Sequence, residues 1–129
     1  MSKISEDCSR FKAEWKFGRH RDAIDIYEGI GRPFWYAETV GKYYEKRGLI
    51  GKAMAEYEML INAYEKMGIL PLPRGQEELF KLGKWYNKQN PAKAKRYLVL
   101  YLRAEELESD PAFRIKYKKQ AQDLLRGLD

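Results

Sequence analysis

The stretch Val40-Gly-Lys-Tyr-Tyr-Glu-Lys-Arg-Gly-Leu-Ile-Gly-Lys-Ala-Met-Ala-Glu-Tyr-Glu58 decides the fold. Its apolar residues return at helical spacing, yet it holds Gly41, Gly48 and Gly51. A glycine inside a helix costs about 1 kcal/mol against alanine. Something must offset that cost. Gly48 suits the left-handed position just past a helix end. Gly41 lies well inside the first helical segment, where the expected gain is close packing. Ala53 and Tyr57, four residues apart, share one face of the segment that follows.

Working outward, the same signals recur. Val40-Gly41-x-x-Tyr44 returns as Leu82-Gly83-x-x-Tyr86, 42 residues later. Ala53-x-x-x-Tyr57 returns as Ala94-x-x-x-Leu98 and stands upstream as Ala23-x-x-x-Tyr27. Gly18 precedes Ala23 by five positions, as Gly48 precedes Ala53. Helix stripes run through Ile4, Cys8, Phe11 and Trp15, and through Ala23 to Ile30. A third helix is expected from Pro33 to about Arg47, a fourth from Ile50 to Met67, and a fifth over 75–89. Asn90-Pro91 and Asp110-Pro111 each read as a cap followed by proline in the first turn, opening a sixth and a seventh helix. The prolines and glycines of 68–76 make a loop. No segment alternates as a strand would. The expectation is one all-α domain over 1–129. It has about seven helices, in hairpins at about 2–31, 33–67 and 75–108, with a last helix at about 111–127.

This joint spacing resembles the tetratricopeptide repeat, whose pattern is W-x2-L-G-x2-Y in one helix and A-x3-F, then P, in the next. The middle hairpin carries it through Val40-Gly41, Tyr44, Gly48, Ala53 and Tyr57. The third carries Leu82-Gly83, Tyr86, Ala94 and Pro111. The tryptophan position holds Ala37 and Leu79. The resemblance implies a right-handed superhelical stack of antiparallel hairpins whose first helices line a concave groove. The last helix would then cap the open end. Gly41 and Gly83 are expected where the paired helices cross, facing Ala53 and Ala94. Tyr44, Tyr57, Tyr86 and Leu98 would fill the space beside them.

Composition narrows the function. The 129 residues include 25 Lys or Arg against 19 Asp or Glu, for a net charge of +6. Such an excess is compatible with anionic partners and specifies none. Cys8 is the lone cysteine, so a disulfide framework or cysteine metal cluster is excluded, and a cytoplasmic location is the expectation. His20, the lone histidine, falls in a turn between Arg19 and Arg21 and reads as a surface residue. Cys8 on its apolar stripe reads as an inert thiol. Glu77-Glu78 and Glu105-Glu106 are neighbours in sequence, about 100° apart on a helix, which is not a catalytic carboxylate pair. No phosphate-binding fingerprint is present. Neither an enzyme nor a cofactor is expected.

What remains is surface. The groove-facing lane of the stack would hold Trp35, Glu38, Lys42 and Glu45 on one helix, and Glu77, Phe80, Lys84 and Asn87 on the next, with Lys12 or Lys16 extending the row. Three consecutive aromatics, Phe34-Trp35-Tyr36, are too many for one narrow buried stripe, and Trp35 is the one expected to face a partner. Trp15 and Trp85 are expected to pack. The leading expectation is therefore a scaffold that binds a protein or peptide, an acidic one by the groove lysines. The second reading is nucleic acid. From Leu79 to Ala104 there are seven Lys or Arg and no Asp or Glu, with Tyr97 and Tyr101 among them. Lys95, Arg96, Lys116, Lys118 and Lys119 would form that surface. No membrane span is expected, and self-association stays open.

Overall fold

Helix stops define the architecture. The computed structural model describes residues 3–68, 75–107, 112 and 114–128. At Gly48, with φ +76°, the Gly48 N–H donates to the Glu45 carbonyl and the Leu49 N–H to the Tyr44 carbonyl. This two-bond closure satisfies the last orphan carbonyls of the helix and reverses the chain. The same pair of bonds closes the chain at Gly18 and Gly31. A left-handed backbone is nearly free for glycine and strained for most other residues.

The resulting elements are α1 (Lys3–Lys16), α2 (His20–Gly29), a 3-10 turn (Phe34–Tyr36), α3 (Ala37–Lys46), α4 (Ile50–Lys66), α5 (Gln76–Tyr86), α6 (Pro91–Leu107) and α7 (Lys118–Leu128). The described residues contain no strand. α1 packs on α2, α3 on α4 and α5 on α6; α4 also meets α5, and α7 lies against α6 and α5. The molecule is thus an all-α, repeat-like array of helices packed in adjacent pairs. No helix among the described residues is long and apolar enough to cross a membrane.

Several boundaries differ from the sequence expectation. Pro33 does not begin an α-helix; it precedes the 3-10 turn, and α3 starts only at Ala37. α5 ends at Tyr86 rather than 89, and residues 87–89 form a turn. The last helix starts at Lys118, with residues 114–117 outside it. Pro111 and Phe113 lie outside the described residues, as do 69–74 of the long connection. Ile4 lies in α1, but its side chain is outside the described residues. Asn90 does cap α6: its Oδ1 accepts from the Lys93 N–H at 3.2 Å, and Pro91 takes the first helical position.

One continuous core runs through all pairs, from Phe11, Ala23 and Tyr27 through Val40, Ala53, Tyr57 and Ile61 to Leu79, Leu82, Leu98 and Ala121. The glycines enter it differently from the expectation. A Cβ on Gly41 would stand 2.5 Å from Cε1 of Tyr57, and one on Gly83 would stand 2.6 Å from Cγ of Leu98. Each glycine makes room for the large side chain of the Ala-x-x-x-aromatic signal, not for its alanine. Gly51 meets nothing within 4 Å of an added Cβ and has no packing role.

Candidate functional site

The exposed face of α3 and α5 is built from charges. Glu38 and Lys42, one turn apart on α3, pair at 2.8 Å. Lys81 on α5 reaches across to Glu45 at 2.7 Å and back to Glu77 at 3.7 Å. The Tyr57 hydroxyl, coming up from α4 beneath, also donates to Glu45. Burial pushes the Glu45 carboxyl upward, but the hydrogen bonds from Lys81 and Tyr57 outweigh it and hold it below the ordinary carboxylate value. The Glu38 hydrogen bond raises the Lys42 ammonium above its ordinary value. Of these contacts, the Lys81–Glu45 pair clamps the second hairpin to the third.

Past this clamp opens a cleft of about 540 Å³, lined by Glu45, Ile50, Met54, Phe80, Lys81, Lys84, Trp85, Tyr117 and Gln120. The chain reversal at Gly48 delivers Ile50 and Met54, a turn apart at the start of α4. Helical spacing puts Phe80, Lys81, Lys84 and Trp85 on one face of α5. The far wall is Tyr117, whose ring stacks on Phe80 at 4.6 Å between centroids and 14° between planes. Tyr117 is fixed in turn by its N–H, which donates to the Tyr101 hydroxyl at 2.8 Å. Lys84 is exposed at the rim. The site thus combines an apolar floor with a cationic edge, in the volume range of binding pockets.

The predicted lane is only partly assembled. Phe80 and Lys84 line the cleft, but Phe80 is 5 % exposed and belongs to the core, so it is floor and not a projecting anchor. Trp35 is 55 % exposed, as expected of a partner-facing aromatic, but it sits on the 3-10 turn against Phe34 and away from the cleft lining. Lys42 and Glu38 engage each other beside the clamp and do not line the cleft. Asn87 is half-buried just past the end of α5, and its Nδ2 has no hydrogen-bond partner among the described residues. Lys12 is exposed on α1, apart from the lining. Sequence reasoning missed Ile50, Met54, Lys81, Trp85, Tyr117 and Gln120. Trp85 could have been found at i+4 from Lys81; Tyr117 depends on where α7 docks.

The alternative basic surface is only partly neutralised, with Arg96 and Lys118 ion-paired. Arg96 pairs with Glu65, Lys93 with Glu58 at 3.2 Å, and Lys118 with Glu105 at 3.1 Å. Lys116 lies over the Tyr117 ring, 5.3 Å from its centroid. Lys95 and Lys119 are exposed. Tyr97 and Tyr101 are buried and offer no stacking platform. Tyr97 spends its hydroxyl on Glu58 at 2.8 Å.

His20 is not the free turn residue expected. It opens α2 half-buried, with its ring 4.3 Å from Trp15 and 5.2 Å from Tyr43, so it packs the first hairpin onto the second. Trp15 packs as expected, stacking on Phe11. Cys8 is half-buried beside Tyr36. Among the described residues no group of three or more His, Cys, Asp or Glu could hold a metal ion.

Glu78, in the first turn of α5, is 4 % exposed, and burial raises its carboxyl above the ordinary value; Glu38 and Glu77 add to the rise, while its own backbone N–H and Lys42 oppose it. A raised folded-state value means the neutral form is favoured on folding. That contribution is fully present below the unfolded carboxylate value, about 4.3, and is lost as pH rises through the folded one. Glu78→Gln therefore raises the melting temperature at pH 7, by roughly 3 °C, and the gain disappears as pH falls to about 4. Thermal melts across that range test it. An equal gain at both pH values would show that the buried charge is not the cause.

Comparison with protein-family models, with curated proteins and with solved structures finds no match for this chain.

Proposed function

We propose that this chain is a non-catalytic interaction module of the tetratricopeptide-repeat type, which holds a segment of a partner protein in the cleft between the end of α3, the start of α4, α5 and the start of α7. The observation that carries this reading is the open, apolar-floored cleft with the exposed Lys84 at its rim. A buried floor with a polar rim is the anatomy of a binding hot spot. The reading places the module in the cytoplasm, in keeping with its lone unpaired cysteine.

The test is selection from a random-peptide display library on the immobilised full chain, with binding mapped by amide chemical shifts. Enrichment of a peptide family that shifts Ile50, Lys84 and Tyr117 supports it. Lys42→Ala has little effect, below about 1 kcal/mol, because an exposed pair contributes that little. Lys95→Ala, away from the cleft, has none. Single-stranded RNA is expected to bind weakly and to lose affinity steeply with salt. Salt-resistant, sequence-selective RNA binding with no peptide enrichment would replace this reading.

A further inference from the structure

We infer that the cleft accepts an internal partner segment in which a large apolar side chain lies beside an acidic one. This rests on the interaction-module reading and adds the chemistry of the occupant.

The apolar half follows from the lining: Ile50, Met54, Phe80, Trp85 and Tyr117. Ile50 remains 37 % exposed at the mouth, so apolar surface is left uncovered where an incoming side chain would cover it. A cleft of about 540 Å³ holds a Leu- or Phe-sized side chain with its neighbouring backbone.

The acidic half follows from the charge ledger of the lining. Glu45 is the lone carboxylate there, and both the Tyr57 hydroxyl and the Lys81 ammonium already donate to it. Lys81 is shared further with Glu77. Lys84 has no carboxylate within ion-pair distance among the described residues. With Lys81 and Lys84 against Glu45, the lining carries a net single positive charge. That charge favours an anion beside the apolar anchor and disfavours a cation. Lys84 is one ammonium at a wet rim, and no arginine fork lines the cleft. A point charge of this kind suits one side-chain carboxylate; a buried chain terminus would need converging donors for both its oxygens.

The probe is a fluorescein-labelled peptide, Leu-Phe-Asp-Asp in a Gly/Ser host with an amidated C-terminus, titrated with the full chain by fluorescence anisotropy. Binding in the micromolar range is expected. Replacing both aspartates by asparagine weakens it about tenfold, and replacing Leu-Phe by Gly-Gly abolishes it. Lys84→Glu weakens the aspartate peptide at least about tenfold and leaves the asparagine peptide unchanged, the signature of direct coupling. Ile50→Asn weakens both peptides. Lys84 and Ile50 are exposed, so neither substitution threatens the fold. No binding of the parent peptide at millimolar concentration overturns the inference. So does equal binding of the aspartate and asparagine peptides, or a marked preference for a free C-terminus over the amide. Library enrichment of a different peptide class would sink this inference alone; no enrichment of any peptide would sink the module reading as well.

Discussion

Replacing Gly41 by leucine is expected to lower the free energy of unfolding by about 3 kcal/mol, the upper part of the usual range for overpacking a core. The added Cβ would lie 2.5 Å from Tyr57 Cε1 and 3.0 Å from both Cδ1 and Cζ. Tyr57 cannot swing aside, because its ring is fully buried and its hydroxyl is tied to Glu45. Even Gly41→Ala should destabilise, although alanine gains up to about 1 kcal/mol in helix propensity. Gly83 offers the comparison. Its added Cβ would meet Leu98 at 2.6 Å, but Leu98, though equally buried, is a smaller aliphatic side chain with no polar anchor. Gly83→Ala should therefore cost less than Gly41→Ala, and Gly83→Leu about 2 kcal/mol. Pairing Gly83→Ala with Leu98→Ala should cost less than the sum of the single changes, since the clash is gone. Urea unfolding measures all of these. A Gly41→Ala variant more stable than the parent would refute the contact.

The second large effect is expected at Glu56. It is 5 % exposed on α4, accepts from the buried Tyr27 hydroxyl of α2, and pairs with Arg32 at 2.8 Å. Burial first, and then Glu56, push the Tyr27 hydroxyl far above its ordinary value, so it stays a neutral donor. Arg32 is the one non-glycine with positive φ among the described residues, at 55°, and Glu56 holds it there. Glu56→Ala thus orphans a buried hydroxyl, leaves a cavity and releases a strained turn. The expected loss is about 3 kcal/mol, as for breaking a buried ionic contact. Glu56→Gln keeps an acceptor for Tyr27 and should lose about 1 kcal/mol. Combining Tyr27→Phe with Glu56→Leu should recover much of the alanine loss, because no buried donor is left unpaired. Urea unfolding decides this also, and a Glu56→Ala variant as stable as the parent would remove Glu56 from the account. The network joins the first hairpin to the second, so amide exchange in α1 and α2 should rise most.

Local rules were enough for much of the fold. Gly18 and Gly48 stop their helices because a left-handed residue after a helix is a property of the chain within about five residues. Asn90 and Pro91 start α6 for an equally local reason. The repeated Gly-x-x-Tyr and Ala-x-x-x-Tyr signals marked which helices pair. Local rules did not reach α7: residues 114–117 stay out of it although their apolar positions fit a helical stripe. Nor did they tell which face of each glycine is crowded, because Tyr57 and Leu98 come from the partner helix.

The candidate site belongs mostly to the tertiary structure. Lys84 and Phe80 were legible by helical periodicity, since both sit on one face of α5. Lys81 and Glu45 are 36 residues apart in sequence, and Arg96 and Glu65 are 31 apart; nothing local says that they meet. Those pairings change the meaning of the charge count, compensating Lys81, Lys93 and Arg96 within the basic run and leaving Lys84 as the exposed cation of the cleft. Likewise Tyr117 becomes a wall only when α7 docks and its ring stacks on Phe80. Helix ends and apolar stripes are settled within a few turns of chain, whereas charge compensation and clefts exist only once distant helices are side by side.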